Sequence, residues 1–376
     1  MSTILHISKY YHPYQGGIET VAKYLAEGLS QYRNVVVCFS SDNHYHEDDV
    51  DGIKVYRVPV NFSMMSQDVS VRYLSIMRRL IKEYQPEALH VHCPNPFVYP
   101  IVMMCAPKHT KVVLHWHSDI LSKGLMYTLI KPLEDRILRR ADAIVSTSPN
   151  YIPDSKPLLK YRDKVWVVQN GIIEDNFRLQ PGDADKVAAL RRQYGDRKIV
   201  FFVGRHVAYK GIDKLLEADA LIKEDCVILI AGKGPLDPTL HAMPHSDRVQ
   251  FVGRLSDDDI RIYLHAAHIF AFPSNTKAEA FGVALAEAMY CRCVPVSFRI
   301  EGSGVNWVSV ADDTGLVVPL NDVQAFAQAV DRLLTDDALR ERFAERAHQR
   351  VTDKFTSRKA VEVMQLLYKS LLPSDQ

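Results

Sequence analysis

The chain has 376 residues, and its 46 lysines and arginines against 45 aspartates and glutamates leave a formal charge of +1. This length exceeds the usual size of a single core, so we expect two domains. The balanced charge argues against a nucleic-acid-binding protein that neutralises many phosphates, and the lack of an apolar run of about 18 residues argues against a membrane-spanning helix.

The start of the sequence has no basic segment followed by a long apolar one, so we expect no signal peptide. The 6 cysteines include no Cys-x-x-Cys pair and fall mostly in apolar, strand-like runs, which is typical of reduced, buried thiols. Both observations favour a cytoplasmic protein.

In chain order, apolar runs typical of buried parallel strands alternate with helical patterns, which predicts an α/β fold. The first set of predicted strands covers residues 3–8, 35–40, 53–58, 88–92, 111–116, 143–147 and 165–169. A polar break with glycine and proline at residues 171–185 is the best candidate for a linker. The second set covers residues 198–203, 226–231, 248–252, 268–272, 293–298 and 315–318. The two sets indicate two doubly wound halves, and helical patterns close the chain.

Gly16 and Gly17 stand between the first predicted strand and a helix expected from about residue 19 to residue 31. Glycine lets the backbone approach a ligand where a Cβ atom would clash, although an ordinary strand-to-helix turn would look the same. The stretch is not the Gly-x-Gly-x-x-Gly fingerprint of dinucleotide-binding proteins, which argues against a nicotinamide dehydrogenase.

Two His-x-His pairs, His90 with His92 and His115 with His117, each close a predicted strand. Alternation places both histidines of a pair on one face of the sheet, near the edge where open parallel sheets bind ligands. A metal site and histidines held by hydrogen bonds within the protein both fit this pattern. Because the acidic residues downstream lack ligand spacing, we expect no metal.

Residues 123–140 mix apolar side chains with lysines and arginines at helical spacing. Such a basic amphipathic helix could contact an anionic membrane, whereas an ordinary surface helix would carry the same pattern. The localisation expected from the sequence is therefore cytoplasmic, with peripheral membrane contact through this segment as an open alternative.

Two cations, Arg205 and Lys210, follow directly after the apolar strand predicted at residues 198–203. Cations in a loop at a strand end can form charge-assisted hydrogen bonds with phosphate oxygens. The spacing therefore predicts a binding site for a diphosphate.

Two carboxylates in the stretch 277–289 bracket a Phe281-Gly282 break, Glu279 before it and Glu287 after it. Residues with high helix propensity follow Gly282, so we expect a helix that begins there and contains Glu287. The free N–H groups and the positive dipole end of such a helix form a site for an anion. The placement predicts different roles for the two carboxylates, with ordinary helix-surface charges as the alternative.

Taken together, the stretches 203–213 and 277–289 resemble those of the retaining glycosyltransferases of family 4, and the wider similarity covers almost the whole chain. The resemblance implies the GT-B fold, in which two Rossmann-like, doubly wound domains face each other across a cleft. It implies an acceptor-side domain of residues 1–178, completed by a C-terminal helix at about 357–376, and a nucleotide-sugar-binding domain of residues 179–356.

The resemblance also assigns roles to individual residues. His117 would face the donor sugar, whose diphosphate Arg205 and Lys210 would bind. Glu279 would hold the sugar hydroxyls, and Glu287 would hold the ribose diol. The residues expected at the catalytic centre are His117, Arg205, Lys210 and Glu279, and those expected to bind the donor are Gly16, Gly17, Arg205, Lys210, Gly232, Arg254, Leu255, Phe281, Gly282, Val283 and Glu287. No metal ligand is assigned.

The expected function is transfer of a hexose, with mannose favoured, from a nucleotide diphosphate sugar to a glycan acceptor, with retention at the anomeric carbon. In the family the leaving phosphate takes the proton of the acceptor hydroxyl, and no metal or other cofactor is needed. The resemblance favours assembly of a bacterial surface polysaccharide such as lipopolysaccharide, with a lipid-linked glycan as acceptor. The alternatives are a sugar-nucleotide epimerase on the same scaffold and a non-catalytic sugar-binding protein. One departure from the family is Arg292, which stands where a glycine usually follows the glutamate helix.

Overall fold

The computed structural model describes residues 1–14, 16–64, 67–120, 125–195 and 197–372. The chain divides into two compact units: unit 1 is Met1–Asn170 with Ser357–Gln376, and unit 2 is Gly171–Thr356. No helix in the described ranges combines the length and the apolar composition that crossing a membrane requires.

The strands and helices largely alternate along the chain, although the strands between residues 33 and 69 follow one another directly and three helices close the chain. The strands are β1 Thr3–Ile7, β2 Arg33–Phe39, β3 His46–Val50, β4 Ile53–Val58, β5 Phe62–Met64, β6 Gln67–Val69, β7 Ala88–Cys93, β8 Lys111–Trp116, β9 Ala143–Ser146, β10 Val165–Val167, β11 Lys198–Val203, β12 Cys226–Ala231, β13 Val249–Gly253, β14 Ile269–Phe272, β15 Val294–Phe298 and β16 Leu316–Val318. The helices are α1 Gly17–Gly28, α2 Tyr73–Tyr84, α3 Val98–Cys105, α4 Leu125–Arg140, α5 Lys156–Lys160, α6 Glu174–Phe177, α7 Asp183–Gln193, α8 Ile212–Asp219, α9 Asp237–Ala242, α10 Asp257–Ala266, α11 Val283–Tyr290, α12 Val305–Val308, α13 Val323–Thr335, α14 Asp337–Lys354 and α15 Ser357–Leu371.

Unit 1 contains an 8-stranded sheet in the order β10-β9-β8-β7-β1-β2-β4-β3. Its neighbouring strands run parallel except β3, which pairs antiparallel with β4. The central strands β1 and β7 are buried along their whole length. Full burial is typical of parallel strands covered on both faces, and it explains why these strands read as continuous apolar runs in the sequence.

Unit 2 contains a 6-stranded, wholly parallel sheet in the order β13-β12-β11-β14-β15-β16. Counted within the unit, this order is 3-2-1-4-5-6, which is that of a Rossmann domain. The strand order reverses between β11 and β14, so the loops that leave these two strands diverge at the carboxyl edge. A ligand of an open α/β sheet binds in the crevice at such a switch point.

The strands expected from the sequence agree with the observed ones to within 2 residues at either end. Three short strands, β3, β5 and β6, had no strand-like pattern. β3 reads His-Glu-Asp-Asp-Val and is partly exposed, so no apolar alternation marks it. It is held by antiparallel pairing with β4 and by an ion pair between Asp48 and Arg57.

Residues 171–178, assigned to the first domain from the sequence, are part of unit 2 in the structure. The amide of Ile172 donates to the Phe355 carbonyl oxygen (2.8 Å), and the Phe177 carbonyl oxygen lies 2.8 Å from His265 Nε2 of α10. These hydrogen bonds to residues of unit 2 explain the difference, because composition alone does not show where a polar loop is hydrogen-bonded. At the other end, residues 373–376 of the expected C-terminal helix lie outside the described ranges.

Candidate functional site

The carboxyl edge of the unit 2 sheet brings together most of the residues singled out in the sequence. Arg205 and Lys210 follow β11, Gly232 follows β12, and Glu279 follows β14. Arg254 and Leu255 lie after β13, in the turn before Ser256, which caps α10 by accepting from the Asp259 amide at 3.1 Å. Because parallel strands all end at the same edge, one crevice collects loops that are far apart in the chain.

Lys210 and Glu279 form an ion pair across the switch point between β11 and β14. Lys210 Nζ donates to Glu279 Oε2 at 2.5 Å, and Ser274 Oγ donates to the same oxygen at 3.2 Å. The two side chains are only 13% and 12% exposed. Burial lowers the pKa of Lys210, but the Glu279 charge and hydrogen bond, together with Tyr209 and Glu287, more than offset this and leave the pKa above its ordinary value. The amine therefore stays charged next to a carboxylate that has a second oxygen for a ligand.

Gly211 allows the β11 loop to lie against the β14 loop. Its φ of +65° favours glycine, and a Cβ atom there would lie 2.1 Å from the Pro273 carbonyl oxygen. The Asn275 amide also donates to the Tyr209 carbonyl oxygen at 3.0 Å. These contacts on both sides of Lys210 fix its backbone next to the segment that carries Glu279.

Helix α11 begins directly after Gly282, as the sequence predicts, and it contains Glu287 but not Glu279. Gly282 has a φ of +88°, Phe281 before it is buried, and no side chain of a described residue caps the helix start. The N–H groups of the first turn, beginning at Val283, are thus available to an anion at the sheet edge.

Glu287 is a half-buried carboxylate on α11. Burial raises its pKa to about 7; the charge of Asp257 acts in the same direction, and that of Lys210 opposes it. The Lys210 ammonium therefore acts electrostatically on both carboxylates of this region, although it is hydrogen-bonded only to Glu279 in the part of the chain that the structure describes.

Arg205 differs from Lys210 in its surroundings. It is exposed, and its guanidinium makes no hydrogen bond or ion pair with a described residue. The structure therefore brings Lys210 and Glu279 into contact, while Arg205 lies on the same loop with its charge directed to solvent.

Three residues expected at the donor site belong to unit 1: Gly16 and Gly17 in the connection from β1 to α1, and His117 directly after β8. Gly16 precedes α1 with an extended backbone (φ 179°), which any residue adopts, so its torsion does not require glycine. Gly17 is the first residue of α1. His117 follows β8, is 6% exposed, and its Nε2 lies 3.0 Å from His92 Nδ1. Its assignment as the residue that faces the donor sugar stays a prediction.

A buried row of histidines, which we call the histidine ladder, crosses three strands of unit 1. Its members are His6, His90, His92, His115 and His117, all at most 6% exposed. His90 binds Tyr368 Oη of α15 through Nδ1 (2.7 Å) and His115 Nδ1 through Nε2 (3.2 Å). Burial lowers the pKa of every member, to about 4 for His6 and about 3 for His117. The ladder is therefore neutral at physiological pH.

The stacking of the ladder rings argues against a shared metal ion, although His6 Nδ1, His92 Nε2 and His115 Nε2 are buried without a hydrogen-bond partner among the described residues. Nitrogen atoms of His90, His92 and His115 lie within 4.8 Å of one another. A shared ion would have to lie in the plane of each ring, yet the rings of His92 and His115 stack at 19° with centroids 5.4 Å apart, so their lone pairs run side by side. Both nitrogens of His90 are already bonded. Function without a metal stays a prediction from the sequence.

Several side chains make contacts around the site that the sequence does not predict. Ser274 bonds to the Glu279 side chain, and Ser303 donates to the Glu279 carbonyl oxygen. His206 and Asp237 form a pair beside Arg205. His206 lies inside the cationic stretch and could have been noticed there, but its partner is 31 positions away.

The turn after α11 contains Arg292, at the position where the family resemblance leads us to expect glycine. Its φ is +64°, a left-handed value that glycine adopts at lower cost, and its side chain is exposed and ion-paired with Glu345. The turn thus keeps a glycine-like backbone despite the substitution.

Two family models match the chain. The model described as Glycosyltransferase Family 4 matches residues 15–176, and the model described as Glycosyl transferases group 1 matches residues 186–350. Among curated proteins, the chain is 30% identical to the O-antigen chain mannosyltransferase C of Escherichia coli over 99% of both chains. It is 32% identical to the D-rhamnosyltransferase WbpZ of Pseudomonas aeruginosa over 94% of this chain and 92% of that protein.

Solved structures show the same fold at low sequence identity. Sucrose-phosphate synthase from Thermosynechococcus elongatus superimposes with a TM-score of 0.78 at 20% identity over 99% of both chains. HepE from Anabaena in complex with UDP-glucose gives 0.75 at 18% identity over 98% of this chain and 99% of that one. WaaG, a glycosyltransferase involved in lipopolysaccharide biosynthesis, gives 0.71 at 15% identity over 97% and 100%. The predicted fold class, GT-B with two Rossmann-like domains, is confirmed.

The histidine ladder should make the stability of unit 1 fall as the pH drops below 6.5. The unfolded chain takes up protons near pH 6.5, whereas the folded ladder does so only near pH 4 or below. The neutral histidines therefore make their full contribution to the free energy of unfolding above pH 6.5. This contribution decreases towards pH 4, by at most about 1.4 kcal/mol per pH unit for each histidine. Hydrogen exchange of the β7 and β8 amides at pH 7.5 and 5.5, corrected for intrinsic rates, measures this slope.

Two variants separate the ladder from general acid sensitivity. His92→Gln should remove the uptake of about one proton on unfolding and so reduce the slope of the unfolding free energy against pH. His109→Gln, at an exposed position, should leave this slope unchanged. Equal protection of the β7 and β8 amides at both pH values would contradict the assignment of the ladder as neutral and pH-sensitive.

Glu287 should make unit 2 less stable as the pH rises. Its pKa is raised from 4.5 to about 7, so the folded state holds a proton that the unfolded state has lost, and stability falls between these values. Glu287→Gln removes the titration and should be about 2–3 kcal/mol more stable than the parent at pH 8, with little difference at pH 5. Urea unfolding at both pH values measures this, with Glu341→Gln at an exposed site as control; parallel pH profiles for parent and Glu287→Gln would count against it.

Proposed function

The chain is a member of glycosyltransferase family 4, and from this premise we propose that it transfers a hexose from a nucleoside diphosphate sugar to a glycan hydroxyl. The observation that carries the proposal is the Lys210–Glu279 ion pair at the switch point of the unit 2 sheet. A diphosphate with an attached sugar needs a cation beside a group that accepts hydrogen bonds from hydroxyls. The pair supplies both within one contact.

The leaving diphosphate would be stabilised by three groups at the sheet edge. Lys210 supplies a charge held in place by its neighbours, Arg205 supplies an exposed charge on the same loop, and the uncapped start of α11 supplies N–H groups. As the bond between the anomeric carbon and the phosphate oxygen breaks, negative charge grows on the diphosphate. Donors that are fixed before the reaction stabilise this charge without reorganisation.

The two glutamates would hold different parts of the donor. Glu279 uses Oε2 for Lys210 and Ser274, and its Oε1 makes no bond to a described residue, so Oε1 is free to accept from a sugar hydroxyl. A carboxylate such as that of Glu287 can accept both hydrogen bonds of a vicinal diol, as in a ribose. With a pKa of about 7 it would favour its charged form once a diol donates to it.

Transfer would proceed with retention at the anomeric carbon. In this scheme the acceptor hydroxyl attacks from the face that the diphosphate leaves, and a leaving phosphate oxygen takes the hydroxyl proton. His117 is neutral because burial lowers its pKa to about 3, so its proposed part is to contact the sugar rather than to supply a charge. No divalent metal enters the proposal, since the phosphate charge has partners in the protein.

The relatives favour a particular setting for this reaction. One is named for mannose transfer to an O-antigen chain and the other for transfer of D-rhamnose, which is 6-deoxymannose. We therefore propose a mannose-type hexose as donor sugar and a growing, lipid-linked glycan of a surface polysaccharide as acceptor. A sugar-nucleotide epimerase would consume the donor without an acceptor, and a sugar-binding protein would bind it without turnover.

Contact of α4 with an anionic membrane is a separate part of the proposal. Leu129 is 66% exposed, and Arg136 and Arg139 are exposed. Other members of the amphipathic pattern are not available: Ile137 is buried, and Lys131 is paired with Asp135. Of the original segment, residues 123 and 124 lie outside the described ranges. The exposed face is thus narrower than the sequence suggested, and an ordinary surface helix is the competing interpretation.

Replacing the two cations tests the diphosphate site. Arg205→Ala and Lys210→Ala should each remove charge-assisted hydrogen bonds of about 1.5–3 kcal/mol and weaken binding of nucleoside diphosphates by tenfold or more. Lys214→Ala, a lysine of α8 paired with Glu217, should leave binding unchanged. Calorimetric titration with UDP, GDP, ADP and dTDP measures the affinities and identifies the base.

Transfer assays with the corresponding mannose and glucose donors complete this test. Product formation that requires an acceptor and persists in EDTA supports the proposal. Donor consumption without acceptor would favour the epimerase, and unchanged diphosphate affinity in both cation variants would remove the basis of the proposed site.

Vesicle binding tests the α4 surface. Sedimentation with phosphatidylglycerol vesicles should drop about fivefold for each of Arg136→Gln and Arg139→Gln, because each cation near an anionic surface contributes about 1 kcal/mol. Leu366→Asp, on the exposed side of α15, is the control. Equal sedimentation of the parent with phosphatidylcholine and phosphatidylglycerol would favour the ordinary surface helix.

A further inference from the structure

His206 is a buried histidine beside the exposed Arg205, and nothing in the proposed function uses it. Its side chain is 2% exposed, and its Nδ1 lies 2.5 Å from Asp237 Oδ1. Since a carboxylate accepts, Nδ1–H donates to Asp237. The other ring nitrogen, Nε2, is buried and has no hydrogen-bond partner among the residues that the structure describes. A buried imidazole with one nitrogen committed and one unsatisfied is costly, so its retention at this edge calls for a reason.

The backbone of His206 is tied to the loop that follows β12. Its amide donates to the Lys233 carbonyl oxygen at 3.2 Å, and its carbonyl oxygen accepts from the Leu236 amide at 3.2 Å. A Cβ atom on Gly234 would lie 2.3 Å from the same carbonyl oxygen, so the glycine permits this close approach. Backbone hydrogen bonds of His206 therefore join the loop after β11 to the loop after β12.

Asp237 closes the same junction from the other side. Its Oδ1 accepts from His206 Nδ1 and also from the Gly234 amide at 2.9 Å. One carboxylate oxygen thus binds a side chain of the first loop and the backbone of the second. Losing either side chain would remove this link and leave the backbone bonds of His206 to hold the two loops together.

Gly232 shows how little space the junction leaves. Its φ is +124°, and a Cβ atom there would lie 1.9 Å from the Gly204 carbonyl oxygen and 3.3 Å from His206 Nε2. Gly232, the first residue after β12, therefore packs against both the backbone of Gly204, which precedes Arg205, and the His206 imidazole.

We propose that His206 and Asp237 are a positioning pair of the donor site: they hold the β11 loop against the β12 loop and so fix the backbone from which Arg205 reaches the diphosphate. This inference rests on the proposed function, because it assigns the pair its purpose through Arg205. The pair does not contact the reacting atoms. Its effect on binding comes from orientation, for which a displacement of about 1 Å can cost a hundredfold in rate.

Two substitutions of similar size separate positioning from direct ligand contact. An asparagine amide can replace the Nδ1 donor to Asp237, whereas a glutamine amide reaches the position of Nε2. His206→Asn should keep the affinity for UDP or GDP close to that of the parent, and His206→Gln should weaken it about tenfold. Asp237→Ala should match His206→Gln, and the double variant His206→Gln/Asp237→Ala should be no weaker than either single variant, because both act through one contact.

Calorimetric titration with UDP and GDP, followed by steady-state kinetics with the accepted donor, measures these effects. We expect the loss mainly in KM for the donor, with melting temperatures recorded for each variant. His245→Asn and Asp247→Asn, at exposed positions of the same unit, are matched controls that should change neither quantity.

The outcomes are distinguishable from failure of the proposed function. If Arg205→Ala weakens diphosphate binding while His206→Gln and Asp237→Ala do not, the positioning pair is refuted and the diphosphate site stands. If His206→Gln retains binding and His206→Asn loses it, Nε2 contacts the ligand and the positioning role is wrong. Rescue by asparagine, together with a loss in Asp237→Ala, supports the proposal.

Discussion

The candidate site depends on one ion pair between segments that are 69 positions apart, Lys210 after β11 and Glu279 after β14. Both charges are largely withdrawn from water, and such a pair repays its desolvation only with good geometry and additional hydrogen bonds. Apolar residues of the same volume would often give equal or greater stability. The stability of unit 2 therefore does not explain a charged pair at the strand-order reversal, which supports the donor site proposed for this edge.

The geometry of this pair follows from the sheet beneath it. Parallel strands deliver their loops to one edge, and close approaches at Gly211 and Gly234 then bring neighbouring loops into contact. The β11 loop is consequently held on both sides: by the β14 loop near Lys210 and by the β12 loop near His206. A loop that is anchored in this way can present charged groups without the entropic cost of ordering them when a ligand arrives.

Much of the fold could be predicted from the sequence because its strands are buried on both faces and so appear as unbroken apolar runs. The start of α11 could be predicted from neighbouring residues alone, since Gly282 precedes a run of strong helix formers. The contacts that complete the site were not readable. Lys210 could be recognised as a cation but not as the partner of Glu279. Nothing in the sequence predicts that His90 is hydrogen-bonded to Tyr368, 278 positions away. Strand β3 was missed because pairing with β4, rather than its own polar sequence, makes it a strand.

Unit 1 is assembled from two stretches of chain that are separated by the whole of unit 2. Its last helix, α15, supplies Tyr368 to the histidine ladder and places Val361 against Gly28, where a Cβ atom would lie 2.5 Å from Val361 Cγ2. During synthesis on the ribosome, residues 1–170 emerge first, yet they must wait for α15 before this surface is covered. Unit 2 is one contiguous stretch of chain, and all of it is synthesised before α15, the last part of unit 1. The nascent chain therefore completes its domains in the reverse of the order in which it begins them.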